Sequence, residues 1–220
     1  MNRIDELVAE RCPDGVPYLA VASPRVSIRV VAGATPKTGR AEFWEGGTIP
    51  WMSSGEVNKG TVYETDQFIT QAAYDATSTK LVPSGSVVMA LAGQGKTRGT
   101  VARTRIELCT NQSLASIVVA KGMSSDFLYY YLQTQYQKLR DVSSGEGSRG
   151  GLNLQIIRNY RVPVPPYEVQ RAIVEVLDKL SVLEAELRAE LKAELEARTQ
   201  QYKFHREKLF AFKNLTGDAE

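Results

Sequence analysis

The last quarter of this chain reads as one helix longer than the domain before it can cover. It opens at Pro165-Pro166, where proline is tolerated in a first helical turn, and Glu168 suits the positive end of the helix dipole. No proline or glycine follows until Gly217, so the helix is expected to run to about Leu215. Large apolar residues recur at Ile173, Val176, Leu180, Leu183, Leu187, Leu191 and Leu195, and resume at Tyr202, Leu209 and Phe212. Alternating steps of three and four are heptad spacing. The repeated steps of four through Leu187, Leu191 and Leu195 are a stutter that relaxes a supercoil locally. About 50 residues rising 1.5 Å each span roughly 75 Å, whereas a compact domain made from the rest has a radius of gyration of about 15 Å. Much of the seam should therefore overhang its own domain and need a second helix. A packed helical appendage is the plainer alternative, but the length favours a dimerising spacer or a partner-docking arm.

Charge and cysteine usage narrow the class. The net charge is only +2. Residues 1–165 carry 18 basic and 14 acidic side chains, and residues 166–220 carry 9 and 11, so the small positive excess belongs to the globular part. Cys12 and Cys109 have no framework spacing, which fits a reducing compartment and a cytoplasmic protein. The single histidine, His205, falls inside the helix, where it suits a heptad position at a helix interface; no Ser–His or Cys–His catalytic site then has its base. No His, Cys and carboxylate cluster has metal-ligand spacing, and no 18-residue apolar stretch spans a membrane. The N-terminus, Met1 to Glu6, is acidic and amphipathic rather than a signal peptide.

Before the long helix, strand-like runs alternate with turns. A short helix over 2–11 ends at Cys12-Pro13-Asp14-Gly15. Strands are expected at 26–31, 48–52, 86–91, 100–108 and 114–120, and a strand-like Arg161-Val162-Pro163 follows a short helix over 154–159. Residues 126–139 read as one helix with Phe127, Tyr130, Tyr131 and Leu132 toward a core. The fold class is α+β, a mixed and mostly antiparallel sheet domain followed by a long coiled-coil helix.

The sharpest local string is Ala90-Leu91-Ala92-Gly93-Gln94-Gly95-Lys96-Thr97, a relaxed phosphate-loop pattern after a strand. That chemistry needs a helix N-terminus next, but Arg98-Gly99-Thr100-Val101 reads as a strand. A glycine-rich hairpin is the better reading, presenting Gln94, Lys96 and Arg98 together with Arg103 and Arg105 nearby. Lys and Arg hold phosphates, and Gln and Arg read base edges; a solvated charged hairpin with no ligand is the plain alternative. Ser144, Glu146, Ser148 and Arg149 on the Gly/Ser loop 143–151 form a second polar group, and Lys37, Arg40, Ser53, Ser54 and Lys59 a weaker third. Pro165-Pro166-Tyr167 lacks the Asn of the amino-methyltransferase motif, so methyl transfer by this chain is rejected.

Several strings together resemble one family. Gly33-Ala34-Thr35-Pro36-Lys37, Trp44-Glu45-Gly46-Gly47-Thr48-Ile49-Pro50-Trp51-Met52, the block Leu81–Val88 with the Gly93–Gly99 turn, and Thr110-Asn111-Gln112 are similar to target-recognition domains of type I restriction–modification specificity subunits. Gly151-Leu152-Asn153, Val162–Pro166 and Gln170-Arg171-Ala172-Ile173-Val174 resemble that family's junction into its spacer helix, and Leu7–Val16 resembles a segment preceding such a domain. The resemblance implies a subunit that recognises double-stranded DNA and scaffolds methyltransferase and restriction subunits, without catalysis or cofactor of its own. Full-length members carry two recognition domains and two spacers. The expectation here is a half-length form: a recognition domain over 1–165, a spacer helix over 166–215 and a tail over 216–220. Two copies joined through antiparallel helices would then rebuild the whole and read a bipartite inverted site. The competing classes are a degenerate phosphate-loop enzyme and a coiled-coil interaction protein with no DNA role.

Overall fold

The computed structural model describes residues 3–93, 97–142 and 151–212. The chain forms two units, Met1–Val174 and Glu175–Glu220. The elements run α1 (Arg3–Arg11), β1 (Tyr18–Ala20), β2 (Ser27–Ala32), a 3₁₀ turn at Ala41–Phe43, β3 (Ile49–Met52), a second 3₁₀ segment at Ser54–Lys59, β4 (Thr61–Val62), β5 (Gln67–Ile69) and α2 (Gln71–Asp75). There follow β6 (Val87–Ala90), β7 (Val101–Thr104), β8 (Cys109–Thr110), β9 (Leu114–Val119), α3 (Ser125–Thr134), α4 (Tyr136–Val142), α5 (Leu154–Asn159), β10 (Arg161–Pro163) and α6 (Tyr167–Leu209).

A five-stranded sheet of order β2-β9-β6-β7-β4 forms the centre, antiparallel except for the parallel β4–β7 pair. Its central strands are covered on both faces, which is why they read as unbroken apolar runs. Along β6, Val87 and Met89 enter one core with Ile117, Leu128, Leu132 and Ile157, while Val88 and Ala90 enter a second with Met52, Val57, Leu108 and Leu114. A three-stranded sheet, β5-β3-β8, packs with α2 around Trp51, Ile69, Ala73 and Cys109. β1 and β10 pair antiparallel where the first unit begins and closes. The result is the expected α+β architecture with mostly antiparallel strands.

Three expectations need correction. Residues 126–139 are two helices, because the chain turns at Gln135, whose side chain is buried and accepts a hydrogen bond from the Tyr160 hydroxyl at 3.0 Å. Leu128 and Tyr129 are buried, while Tyr130 and Tyr131 are only partly so. The expected strand over 100–108 stops at Thr104: Arg105 turns to Asp126, Leu108 bridges to Val82, and the chain crosses to the three-stranded sheet at Cys109. The long helix spans Tyr167–Leu209, so Phe212 lies past its end. The short elements β1, β4, β5 and α2 had no sequence signal strong enough to separate them from loops.

The start of α6 belongs to the first unit. Val169 is buried, and Ile173 and Val174 pack on the core. Gln170 is fully buried: its amide donates to the carbonyls of Gly122 (3.2 Å) and Pro165 (2.9 Å), and its Oε1 accepts from the backbone N–H of Ser124 (2.8 Å). All three polar groups of the joint are thereby satisfied in a place water does not reach. Among the described residues no helix is long and apolar enough to cross a membrane.

Candidate nucleic-acid interface

The segment 33–44 is stapled to the three-stranded sheet by its own sequence. A Cβ at Gly33 would stand 1.7 Å from the carbonyl oxygen of Thr110, so only glycine permits this approach. Ala34 N–H donates to that same oxygen at 2.9 Å. The Trp51 indole donates to the Ala34 carbonyl (3.0 Å) and the Trp44 indole to the Lys37 carbonyl (3.2 Å), while the two rings meet edge to face at 5.1 Å. Arg40 N–H closes a turn onto the Lys37 carbonyl at 3.1 Å. Lys37 and Arg40 are therefore exposed on a held loop, at a cleft of about 380 Å³ whose other wall is Ala76, Thr77 and Ser78.

A chain of hydrogen bonds runs from this loop to the glycine turn. The Thr35 hydroxyl donates to the side-chain carbonyl of Gln112. The next residue, Ser113, accepts from Leu91 N–H at 2.8 Å, and the Leu91 carbonyl accepts from Leu152 N–H at 3.1 Å. Leu91 stands at the root of the turn after β6, and Leu152 directly follows the Gly/Ser loop. The roots of the three polar groups inferred from sequence are thus tied together.

The turn itself is a hairpin. Ala90 N–H donates to the Thr100 carbonyl (3.0 Å), Gly99 N–H to the Ala90 carbonyl (2.9 Å), and β7 returns antiparallel to β6. No helix N-terminus follows, so the phosphate-loop alternative fails on geometry. Gly93 holds φ +133°, and a Cβ there would lie 3.0 Å from Thr97 Cβ, which accounts for that glycine. Arg98 is half-buried in this turn. Gln94 and Lys96, and likewise Ser144, Glu146, Ser148 and Arg149, lie outside the described residues.

Other basic residues are engaged by carboxylates of the protein. Lys59 Nζ pairs with Asp66 (2.7 Å) and buried Glu56 (3.0 Å). The hydrogen bonds it donates to Asp66 and Glu56 raise the Lys59 pKa. Ser53 caps the same 3₁₀ segment, its N–H and hydroxyl both donating to Glu56, and Ser54 is half-buried beside it. Arg103 and Arg105 converge on one oxygen of Asp126, at 3.0 and 2.8 Å, and Arg103 stacks over Tyr129 and Tyr130. The sequence put these two arginines near the turn but carried no sign of their shared carboxylate. Among the described residues no group of three His, Cys, Asp or Glu is placed to hold a metal ion.

In the second unit the leucine seam is open. Leu180, Leu183, Leu187, Leu191 and Leu195 are 54–68% exposed, with Val176, Tyr202, Leu209 and Phe212 also exposed. Ile173 is already occupied by the core of the first unit. His205 is exposed, edge-on to Phe204 at 5.4 Å.

Residues 28–197 match the family described as Type I restriction modification DNA specificity domain, and the chain belongs to that family. It is 28% identical over 182 residues to the specificity subunit of the Escherichia coli type I restriction enzyme EcoR124I/EcoR124II, a match covering 82% of this chain and 45% of that relative. It is 30% identical over 153 residues to the MjaIX specificity subunit of Methanocaldococcus jannaschii, covering 67% of this chain and 34% of the relative. The chain therefore spans less than half the length of these relatives. In fold it is similar to a chain from a type I restriction–modification assembly (TM-score 0.66, 20% identity, 90% of this chain and 48% of that one). It is also similar in fold to the S subunit of M. genitalium (TM-score 0.58, 15% identity, 96% and 50%).

Proposed function

We propose that the chain is a DNA-recognition module of a type I restriction–modification system, with residues 1–165 as the target-recognition domain and residues 166–215 as the spacer helix. Two copies pair through antiparallel helices along Val176–Leu209. Two-fold protein symmetry then reads two inverted half-sites separated by unspecified bases. The chain carries no catalysis of its own; methyltransferase and restriction subunits held on the assembly supply it. The observation that carries this reading is the exposed leucine seam, on a helix that continues from a DNA specificity domain.

Base reading falls to the turn Gln94–Arg98 and the loop Ser144–Arg149. Both are polar and glycine-flanked, so backbone can approach the groove while Gln and Arg reach base edges. Ser53, Ser54 and Lys59 serve as framework, because their polar groups are turned to Glu56 or half-buried beside it.

The test is the methylated sequence context produced when the chain is reconstituted with methyltransferase subunits. Two inverted half-sites are expected, and a single asymmetric site would overturn the dimeric reading. Solution mass at micromolar concentration should be that of two protomers, and Leu183→Asp/Leu187→Asp/Leu191→Asp should abolish it. At least one of Arg98→Ala and Arg149→Ala should relax a single base position, at a cost of about 1–3 kcal/mol.

A further inference from the structure

The cleft between Lys37–Arg40 and Thr77–Ser78 is lined by two exposed cations and an exposed hydroxyl. Several cations of the first unit are engaged: Lys59, Arg103 and Arg105 on carboxylates, Arg29 on the Leu81 carbonyl (2.8 Å), Arg158 on the Val30 carbonyl (2.9 Å). Lys37 has no ion pair among the described residues. Arg40 has a 3.6 Å contact to exposed Glu42 and a stack over Phe43 at 5.3 Å. The two cations occupy one closed turn, held in place by the Trp44 indole. Across from them stands the exposed Ser78 hydroxyl, beside Thr77, whose hydroxyl is bound to the Ala73 carbonyl.

Two cations and a hydroxyl around an open cleft suit a tetrahedral oxyanion. Thr35, on the cleft wall, leads through Gln112 and Ser113 to the root of the glycine turn. The loop that would hold an anion is therefore tied to the root of that turn.

We propose that this cleft grips a backbone phosphate of duplex DNA, positioning the turn and the Gly/Ser loop without contributing sequence preference. This rests on the DNA-recognition reading. The sequence carried Lys37 and Arg40 as the weaker group; the structure gives them a held loop and an opposing wall.

The test uses the full chain and labelled duplexes of several unrelated sequences, with affinity followed by anisotropy across a salt series. Lys37→Ala/Arg40→Ala should weaken binding to every duplex alike and lower the slope of log affinity against log salt by about one, the single phosphate they share. Lys121→Ala/Lys138→Ala removes the same charge from exposed positions outside the cleft and should leave the slope near the wild-type value. Inorganic phosphate at matched ionic strength should compete weakly or not at all, because a duplex engages several phosphates together; full displacement at millimolar phosphate would mean a site for the free ion and would overturn the proposal. Wild-type protein without duplex binding would overturn the DNA-recognition reading itself. Wild-type binding with an unchanged slope in Lys37→Ala/Arg40→Ala, or an equal fall in both double variants, would overturn the cleft alone.

Discussion

The indole N–H of Trp51 donates to the carbonyl oxygen of Ala34 at 3.0 Å, joining β3 to the loop that carries Lys37 and Arg40. Trp44 repeats the device on Lys37. Both tryptophans lie in the string Trp44–Met52, and both carbonyls lie in Gly33–Lys37. Two separated strings of the sequence are thus one structural unit.

Gly33→Ala should cost about 3 kcal/mol or more, because a Cβ 1.7 Å from the Thr110 oxygen forces two backbones apart. Trp51→Phe should cost about 1 kcal/mol through the lost donor alone. Gly55→Ala should be near neutral, since the nearest atom to a Cβ there is Ser53 Oγ at 4.0 Å. Urea denaturation of the three variants checks the order.

Gln170→Leu leaves the Ser124 N–H and the Gly122 and Pro165 carbonyls without their partner in a fully buried joint. A loss of about 3 kcal/mol is expected. Gln170→Glu should be worse at neutral pH, where a carboxylate faces two carbonyls. It should recover partly near pH 4, where the protonated acid can donate to one of them. Denaturant midpoints at the two pH values, each referenced to wild type, test the sign.

Stability should fall on the alkaline side. Burial, with the nearby Tyr160 and Tyr18 hydroxyls, pushes the Tyr131 pKa up from 10.0 to about 12, and burial raises Tyr160. A raised folded pKa means stability is complete below the unfolded value and is lost as pH climbs from 10 through the folded value. Lys59 has the same sign: its ion pairs are kept below its ordinary 10.5 and lost as pH rises through its raised value. Tyr131→Phe should flatten the loss between about pH 10 and 12 in thermal melts. Desolvation likewise raises the fully buried Cys109 thiol. It should react with a disulfide reagent at pH 8 only as the protein unfolds.

Asp126→Asn should cost about 2 kcal/mol, since Arg103, with its side chain only 12% exposed, loses the carboxylate it shares with Arg105. A double-mutant cycle with Arg105→Gln should show coupling, because both arginines address one oxygen; additive losses would contradict the shared contact.

The α+β class, the long helix and its leucine seam were legible in the sequence because they are carried by period. Runs such as Val87–Ala90 and Leu114–Val119, and steps of three and four through Leu195, mark elements whose apolar groups must be buried by something. Hairpin and phosphate loop could also be separated, since a strand-forming segment follows Lys96 where a nucleotide site needs a helix.

What the sequence by itself determined were elements and family: which segments pair or coil, where glycine punctuates, and which strings travel together. Only the tertiary structure decided which polar residues are available. Lys59 and Lys37 look alike in sequence, yet one is closed between Glu56 and Asp66 while the other stands on an open cleft. Arg103 and Arg105 are spent on Asp126, and Gln170, polar within a helix, is fully buried with its hydrogen bonds made by Gly122, Ser124 and Pro165. The physical reason is that periodicity reports burial one residue at a time. Neutralisation of a charge is a property of pairs brought together by strands far apart in the chain, and only the folded arrangement of those strands sets it.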